Sequence, residues 1–245
     1  MTQVQPDILL VLFLAVISPV IGSLIGVLKR PSERFMYIML AFAGGVMLSI
    51  SFLQLIPESL RLSSVLICVA GVTTGVIIMF ALDKLIPHIH PELCLPEQGN
   101  LKLTAIYLII GIFLHNFPEG MAIALWKVSG IKIGLIVALA IAIHNIPEGI
   151  CTSAPYFYCT KKRVKSFLLS SSTAIPILVG YLVATFLYDQ ITSSATGFIV
   201  GATAGFMIYI TGDKILPTSF GKNPEHSTIF SFIIGILFVV ILGSI

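Results

Sequence analysis

Residues 114–124 read LHNFPEGMAIA, and residues 143–153 read IHNIPEGICTS. Each copy places a histidine, an asparagine, a proline and a glutamate in an apolar run, where a helix in a hydrophobic environment would carry leucines. The two histidines are 29 positions apart (144 − 115). The sequence around the motifs decides which environment they occupy.

The composition identifies that environment as a membrane. Hydrophobic residues make up 57% of the 245 residues and charged residues only 10%, and the mean hydropathy is +1.04. A soluble domain carries roughly 25% charged residues, so this chain has too few charges to cover a water-facing surface. Because a lipid-exposed backbone must satisfy its own hydrogen bonds, we predict an all-α integral membrane protein.

Apolar runs bounded by proline, glycine or charge predict eight transmembrane helices in one domain over residues 1–245. The apolar run near the N-terminus lacks a basic region and a cleavage site, so it is interpreted as a first permanent span. The longest internal loop, 86–100, is too short and proline-rich to fold alone, so the function must lie within the bundle. The expected spans are 7–28, 35–56, 62–86, 102–126, 131–153, 166–188, 193–213 and 227–244.

The basic residues predict the orientation of these spans. The loops after spans 1, 3, 5 and 7, with their flanks, hold 11 of the 14 lysines and arginines, and the opposite side holds Arg61, Lys127 and Lys132. The positive-inside rule makes the richer side cytoplasmic, so both termini are expected outside. The KKRVK cluster at 161–165 is interpreted as part of this topology signal in preference to a phospholipid or nucleic-acid patch.

Small residues at four-residue spacing are expected to let helices approach closely. They occur at Gly22/Gly26, Gly71/Gly75 and Gly197/Gly201/Gly205. A short echo between LDKLIP at 82–87 and GDKILP at 212–217 is a weak indication of repeated halves, which transporters often have.

The two motifs should lie at one depth. Each histidine is 13 residues from the start of its predicted span, which is about 20 Å along a helix and close to the middle of the bilayer. His115 and Glu119, like His144 and Glu148, are four residues apart and so share a helix face. Consecutive spans run antiparallel, so the motifs should meet, and Asn116 and Asn145 can reach the same cavity wall.

Proline and glycine add to each motif. Pro118 and Pro147 cannot donate a backbone hydrogen bond, so each is expected to kink its helix and free a carbonyl oxygen. Gly120 and Gly149 follow the glutamates and allow close helix approach or a passage. A lone histidine in a span is usually a packing residue, but two glutamates and two histidines in matched frames are hard to explain as packing.

A divalent cation would offset the cost of burying these groups. Imidazole and carboxylate ligands suit Zn²⁺ and other first-row ions, and binding must displace protons, so pH dependence is expected. The cluster contains no cysteine, and mixed nitrogen and oxygen ligands permit the ion to exchange. An intramembrane zinc protease would need H-E-x-x-H, which the motifs lack. A proton-coupled carrier of a small organic solute, using the same residues as a relay, remains the alternative.

HNFPEG in the fourth span and HNIPEG in the fifth resemble the signatures of the ZIP (Zrt/Irt-like) family of divalent metal transporters, in its prokaryotic-type branch. The resemblance covers nearly the whole chain. It implies a zinc-preferring uptake transporter with an often binuclear site between spans 4 and 5, and a methionine of span 2 near it. The residues implied as metal ligands are His115, Asn116, Glu119, His144, Asn145, Glu148 and Met47.

Departures from the family pattern bear on the second metal. Asn145 stands where many relatives have aspartate, and Ile175 stands where they have a glutamate before the proline of span 6, so the second position is expected to be weak or absent. Span 7 offers only Asp213 to the inner exit. In the loop, His88 and His90 either catch metal on release or are ordinary solvated histidines.

These observations predict a multi-pass cell-membrane protein that is not an enzyme and has no prosthetic group. Its expected substrate is Zn²⁺, with Fe²⁺, Mn²⁺ and Cd²⁺ as further candidates, moved from outside into the cytoplasm past Asp83 and Asp213. The expected partners are the metal ion and the lipid bilayer, without nucleic acid, and a homodimer is left open.

Overall fold

A computed structural model describes residues 6–28, 31–85, 113–114, 116–220 and 225–244, and these residues form helices without a β-strand. Seven of the helices in these ranges are long and apolar enough to cross a membrane. In chain order the helices are α1 (Pro6–Leu28), α2 (Glu33–Ile50), α3 (Ile56–Leu62), α4 (Val65–Leu85), α5 (116–123), α6 (Trp126–Ser129), α7 (Ile131–Thr160), α8 (Arg163–Ser171), α9 (Ile175–Leu187), α10 (Ser193–Ile210), α11 (Leu216–Phe220) and α12 (His226–Ser244).

The all-helical membrane class is confirmed, while the count of eight spans and the side of the termini stay predictions. The seven spans correspond to predicted spans 1, 2, 3, 5, 6, 7 and 8. Of the predicted fourth span, 102–126, the structure describes residues 113–114 and 116–126, and α5 lies within it. The first and last spans agree with their predicted bounds to within a residue.

Several predicted boundaries are wrong, because proline and polar residues were taken as helix ends. The second span continues to Leu62 instead of ending at 56, and the third begins at Val65. The seventh continues past 213 to Phe220. The fifth continues from 153 to Thr160 and ends where Lys161 adopts a left-handed conformation with φ 57°.

The second and seventh spans share one construction. Each begins after a hydroxyl side chain, Ser32 or Thr192, that accepts a hydrogen bond from the first turn. In each, 18 α-helical residues are followed by a π-helical turn of five residues, Ser51–Leu55 or Thr211–Ile215. A proline then stands at the second position of the next α segment. Because proline lacks an N–H, the wider π-helical turn lets the helix continue through a position that cannot donate a backbone hydrogen bond. In the structure, residues 212–217 of the seventh span therefore correspond to residues 52–57 of the second span, and not to residues 82–87, which resemble them in sequence.

Glycines bring the helices into backbone contact. A Cβ on Gly75 of α4 would lie 2.1 Å from the carbonyl oxygen of Ala202 in α10. A Cβ on Gly22 of α1 would lie 2.1 Å from the carbonyl oxygen of Ile146 in α7. These contacts confirm that the small-residue spacings serve packing.

The short helix α6 joins the two motif-bearing helices and is held from two sides. Lys127 donates to the carbonyl oxygen of Thr185 at 2.9 Å and pairs with Asp189, which ties α6 to the end of the sixth span. On the other side, the buried carboxylate of Glu58 accepts from Ser129, and Arg61 bonds both Glu58 and the carbonyl oxygen of Val128. The connection that sets α5 against α7 is thus fixed to the second and sixth spans.

Candidate metal site

His144 lies on α7 with both ring nitrogens engaged. Its Nδ1 lies 3.0 Å from the carbonyl oxygen of Ala140, one turn earlier, and its Nε2 lies 2.7 Å from Oε1 of Glu119 on α5. Because a carbonyl oxygen only accepts, Nδ1 carries a proton, and this directs Nε2 at the carboxylate. A hydrogen bond of this length requires a proton on either Nε2 or Glu119, so a cation that takes Nε2 as a ligand has to displace that proton.

Glu148 completes a cluster of three ligand groups. It stands one turn after His144 on the same face of α7, as the i and i+4 spacing predicts. One ligand atom from each of Glu119, His144 and Glu148 lies within 4.8 Å of the others. The exposed fractions of the three residues are 0%, 0% and 2%, so the groups face one another away from solvent.

The prediction that the two motifs meet is confirmed for these three residues. Glu119 comes from the first motif and His144 and Glu148 from the second, and the contact between Glu119 and His144 joins them directly. His115, the remaining histidine, lies outside the described residues. The glutamates bring two carboxylates to one imidazole in a buried place, and this donor set favours a cation over an anion or a neutral solute.

The glycines after the two glutamates hold neighbouring helices against the site. A Cβ on Gly120 would lie 1.9 Å from the carbonyl oxygen of Ile177 in α9, and one on Gly149 would lie 2.3 Å from that of Pro19 in α1. Of the two expectations for these glycines, close helix approach is therefore the one the geometry supports. α7 runs through Pro147 without interruption from Ile131 to Thr160.

The two motif asparagines have different surroundings. Asn116 is fully buried, and its Nδ2 donates to the carbonyl oxygen of Thr173 at 2.7 Å. Thr173 lies in the short 3-10 turn between α8 and α9, so Asn116 fastens α5 to the sixth span. Asn145 is also fully buried, but neither its amide oxygen nor its nitrogen has a hydrogen-bond partner in the described structure. An unpaired buried amide is costly, and a cation or water would satisfy its oxygen.

Met47, the predicted ligand of span 2, is fully buried in the core. Its sulfur lies 3.7 Å from Oγ1 of Thr211, which also donates to the carbonyl oxygen of Met207 at 2.7 Å, and Thr211 opens the π-helical turn of the seventh span. The structure thus places Met47 between the second and seventh spans. Its role as a ligand stays a prediction.

Ile175 opens α9, directly after the 3-10 turn Ser172–Ala174. Its side chain is 56% exposed, whereas Thr173, two positions earlier, is buried and its backbone carbonyl oxygen accepts from Asn116 of α5. The expectation that Ile175 and Asn145 leave a second metal weak or absent stays a prediction.

The predicted inner exit contains a lysine that sequence reasoning did not use. Lys214 lies 2.8 Å from a carboxylate oxygen of Asp83 and 3.0 Å from one of Asp213. The lysine therefore neutralises part of the charge that an outgoing cation would meet. The loop histidines His88 and His90 lie outside the described residues.

Sequence reasoning also missed a buried cluster of hydroxyl groups one turn beyond Glu148. Ser170 of α8 contacts Oγ1 of Thr152, accepts from Ser23 of α1 at 2.6 Å, and donates to the carbonyl oxygen of Gly149 at 3.3 Å. These bonds join the first, fifth and sixth spans around the site. The run SSST at 170–173, inside an apolar span, was the available signal.

The chain is similar to known proteins over most of its length. Residues 95–243 match the family model described as "ZIP Zinc transporter". The chain is 34% identical over 236 residues to the "Zinc transporter ZupT" of Enterobacter sp. (strain 638), covering 93% of this chain and 92% of that protein. It is 34% identical over 250 residues to the protein of the same name from Salmonella heidelberg (strain SL476), covering 97% of each.

Proposed function

Because this chain belongs to the ZIP zinc transporter family, we propose that it carries Zn²⁺ into the cytoplasm through the buried cluster of Glu119, His144 and Glu148. Family membership makes the chain a divalent metal transporter, not an enzyme, and a multi-pass protein of the cell membrane. The metal site, zinc preference and direction of transport belong to the proposal.

The observation that carries the proposed site is the convergence of three candidate ligand atoms within 4.8 Å in the buried interior. Zinc accepts imidazole nitrogen and carboxylate oxygen at about 2.0–2.2 Å, so a group of this size can close around one ion with small side-chain movements. His115 and Asn116 of the first motif, Asn145 of the second, and Met47 are the further candidate ligands. Asn145 brings no charge, so a second metal is expected to bind weakly.

The preference for zinc rests on ligand chemistry and on the names of the relatives. Mixed imidazole and carboxylate sites suit zinc, and they also accept Fe²⁺, Mn²⁺ and Cd²⁺, which we propose as secondary substrates. The relatives are named zinc transporters. Cysteine is a softer ligand type. The sulfur of Cys151 on α7 lies 3.8 Å from the carbonyl oxygen of Met36 and is not part of the cluster.

The proposal of inward transport rests on the predicted orientation. Basic residues are concentrated in the loops after odd-numbered spans, and the positive-inside rule favours the cytoplasmic side for those loops. The metal gradient would drive the ion, and the proton in the hydrogen bond between His144 and Glu119 gives a route to proton linkage. A homodimer stays a proposal. Family membership disfavours the alternative of a proton-coupled carrier of organic solutes.

Uptake into proteoliposomes tests this function. We expect Zn²⁺ to accumulate in vesicles that contain the wild-type chain, with slower uptake at acidic pH because protons compete for His144 and Glu119. Glu119→Gln keeps the side-chain shape and should reduce uptake to the level of protein-free vesicles. Glu225→Gln, at an exposed ion pair with Arg34, is the matched control and should transport like wild type. Wild-type uptake by Glu119→Gln would overturn the proposed site.

A further inference from the structure

A basic groove lies at the start of the sixth span, and its first residue follows Glu148 by 14 positions (162 − 148). It is an open depression at the surface, with a volume of about 690 Å³. Its wall combines cationic side chains with aliphatic ones. Those that matter here are Lys162, Arg163, Lys165, Val164 and Leu168.

In the part of the chain that the structure describes, no carboxylate neutralises the cations of this groove. Lys162, Arg163 and Lys165 are exposed, and in the described part of the chain none of them forms an ion pair. The guanidinium of Arg163 lies 5.5 Å from the ring centroid of Phe157, which positions it without cancelling its charge. By contrast, Lys127 and Lys214 each pair with carboxylates.

The aliphatic side chains of the groove lie on the outward face of α8. Val164 and Leu168 are one helical turn apart and are 70% and 60% exposed. The opposite face of α8 carries Ser166 and Ser170, which are fully buried. The outward face of α8 therefore presents an aliphatic track that begins beside the lysines and continues along the span.

This combination selects one class of ligand. A small soluble anion would use the charges and leave the aliphatic track unused, and a neutral lipid would use the track and leave the charges unused. A positive-inside topology signal requires lysines and arginines near a span, but it requires no groove. An anionic phospholipid matches both parts, with its phosphate at the cations and an acyl chain along Val164 and Leu168.

We propose that the groove formed by Lys162, Arg163, Lys165, Val164 and Leu168 is a binding site for an anionic phospholipid. The lipid would sit at the leaflet that faces the loop between the fifth and sixth spans. α8 also contributes Ser170 to the hydroxyl cluster beside Gly149, so a bound lipid would contact the helix that supports the metal-site region.

Lipid titration of the purified full-length transporter, read by native mass spectrometry, tests this site. Each basic residue near an anionic lipid contributes about fivefold in affinity, so Lys162→Gln with Lys165→Gln should weaken binding of phosphatidylglycerol roughly 30-fold. The control Lys84→Gln with Lys132→Gln removes the same charge at exposed positions elsewhere and should bind within about twofold of wild type. Phosphatidylcholine with the same acyl chains should bind wild type about as weakly as phosphatidylglycerol binds the first variant.

Three results would overturn the proposal. One is equal binding of phosphatidylglycerol by wild type and Lys162→Gln/Lys165→Gln. Another is equal binding of the two lipids by wild type. The third is displacement of the lipid by glycerol phosphate at equal concentration, which would show that the acyl chain contributes nothing. Val164→Ser with Leu168→Ser gives a second variant that keeps every charge, and it should also bind phosphatidylglycerol more weakly.

Discussion

Asn116 and Asn145 occupy the same position in two matching motifs, yet only Asn116 has a hydrogen-bond partner in the described structure. Asn116 donates to the carbonyl oxygen of Thr173, while the buried amide of Asn145 has no hydrogen-bond partner among the described residues. The difference assigns Asn116 a structural task in addition to its predicted ligand role. Among the described residues, no contact assigns such a task to Asn145.

Leucine substitution at each asparagine separates these roles. Asn116→Leu leaves the carbonyl oxygen of Thr173 buried without its donor, so we expect a loss of about 1–3 kcal/mol in the free energy of unfolding without metal. Asn145→Leu removes an unpaired amide and should leave that free energy unchanged or raise it. Denaturant unfolding of both variants in the same detergent measures the difference, and equal losses would contradict it.

At the scale of single residues, the sequence predicted that the two motifs would meet. The i and i+4 spacing of His144 and Glu148, and the matched depth of Glu119, agree with the buried cluster that these three residues form, while their role as metal ligands stays a prediction. What the sequence could not show was the 3-10 turn before Pro176, where Thr173 is buried and Ile175 is 56% exposed.

At the scale of helices, the site depends on two backbone crossings at glycine. Gly120 meets α9 at the carbonyl oxygen of Ile177, and Gly149 meets α1 at that of Pro19. Any side chain at these positions has to push a neighbouring backbone away, because the obstacle is a main-chain atom and not the end of a flexible side chain.

Alanine at these crossings should therefore destabilise the bundle. We expect Gly120→Ala to lower the free energy of unfolding by about 1–3 kcal/mol or more through overpacking. Gly212 lies in the π-helical turn of the seventh span with no atom within 4 Å of a Cβ position, so Gly212→Ala should be neutral or slightly stabilising. Thermal unfolding of the purified variants measures both effects. A Gly120→Ala variant as stable as wild type, together with a Gly212→Ala variant less stable than wild type, would contradict the prediction.

Helix existence was predictable from hydropathy, but the ends of the second and seventh spans were not. Pro57 looked like a helix end because proline lacks an N–H, and the seventh span looked complete at Asp213, where charged residues begin shortly before Pro217. In the structure a π-helical turn precedes each proline and the span continues, to Leu62 and to Phe220. A π-helical turn widens the helix by one residue per turn, and periodicity in an all-apolar segment does not report so small a change.

At the scale of the whole molecule, the orientation in the membrane is the main prediction still to be tested. The distribution of 11 basic residues against 3 places the loops after odd-numbered spans in the cytoplasm and both termini outside. We expect single cysteines at residue 2 and at residue 245, introduced into a cysteine-free variant, to react with a membrane-impermeant maleimide in intact cells. Cysteine at Lys162 should react only after the cells are opened. Reaction of one terminus but not the other would exclude an even number of spans.

The central claim is that Glu119, His144 and Glu148 together hold the transported ion. Equilibrium Zn²⁺ binding to the purified transporter in detergent, combined with zinc X-ray absorption, tests it most directly. We predict that wild type binds one zinc tightly with imidazole and carboxylate ligands at about 2.0–2.2 Å. Glu119→Gln, His144→Gln and Glu148→Gln should each weaken binding by more than about tenfold, since losing even a supporting partner of a metal ligand costs that much. Unchanged affinity and an unchanged absorption spectrum in His144→Gln would contradict the claim.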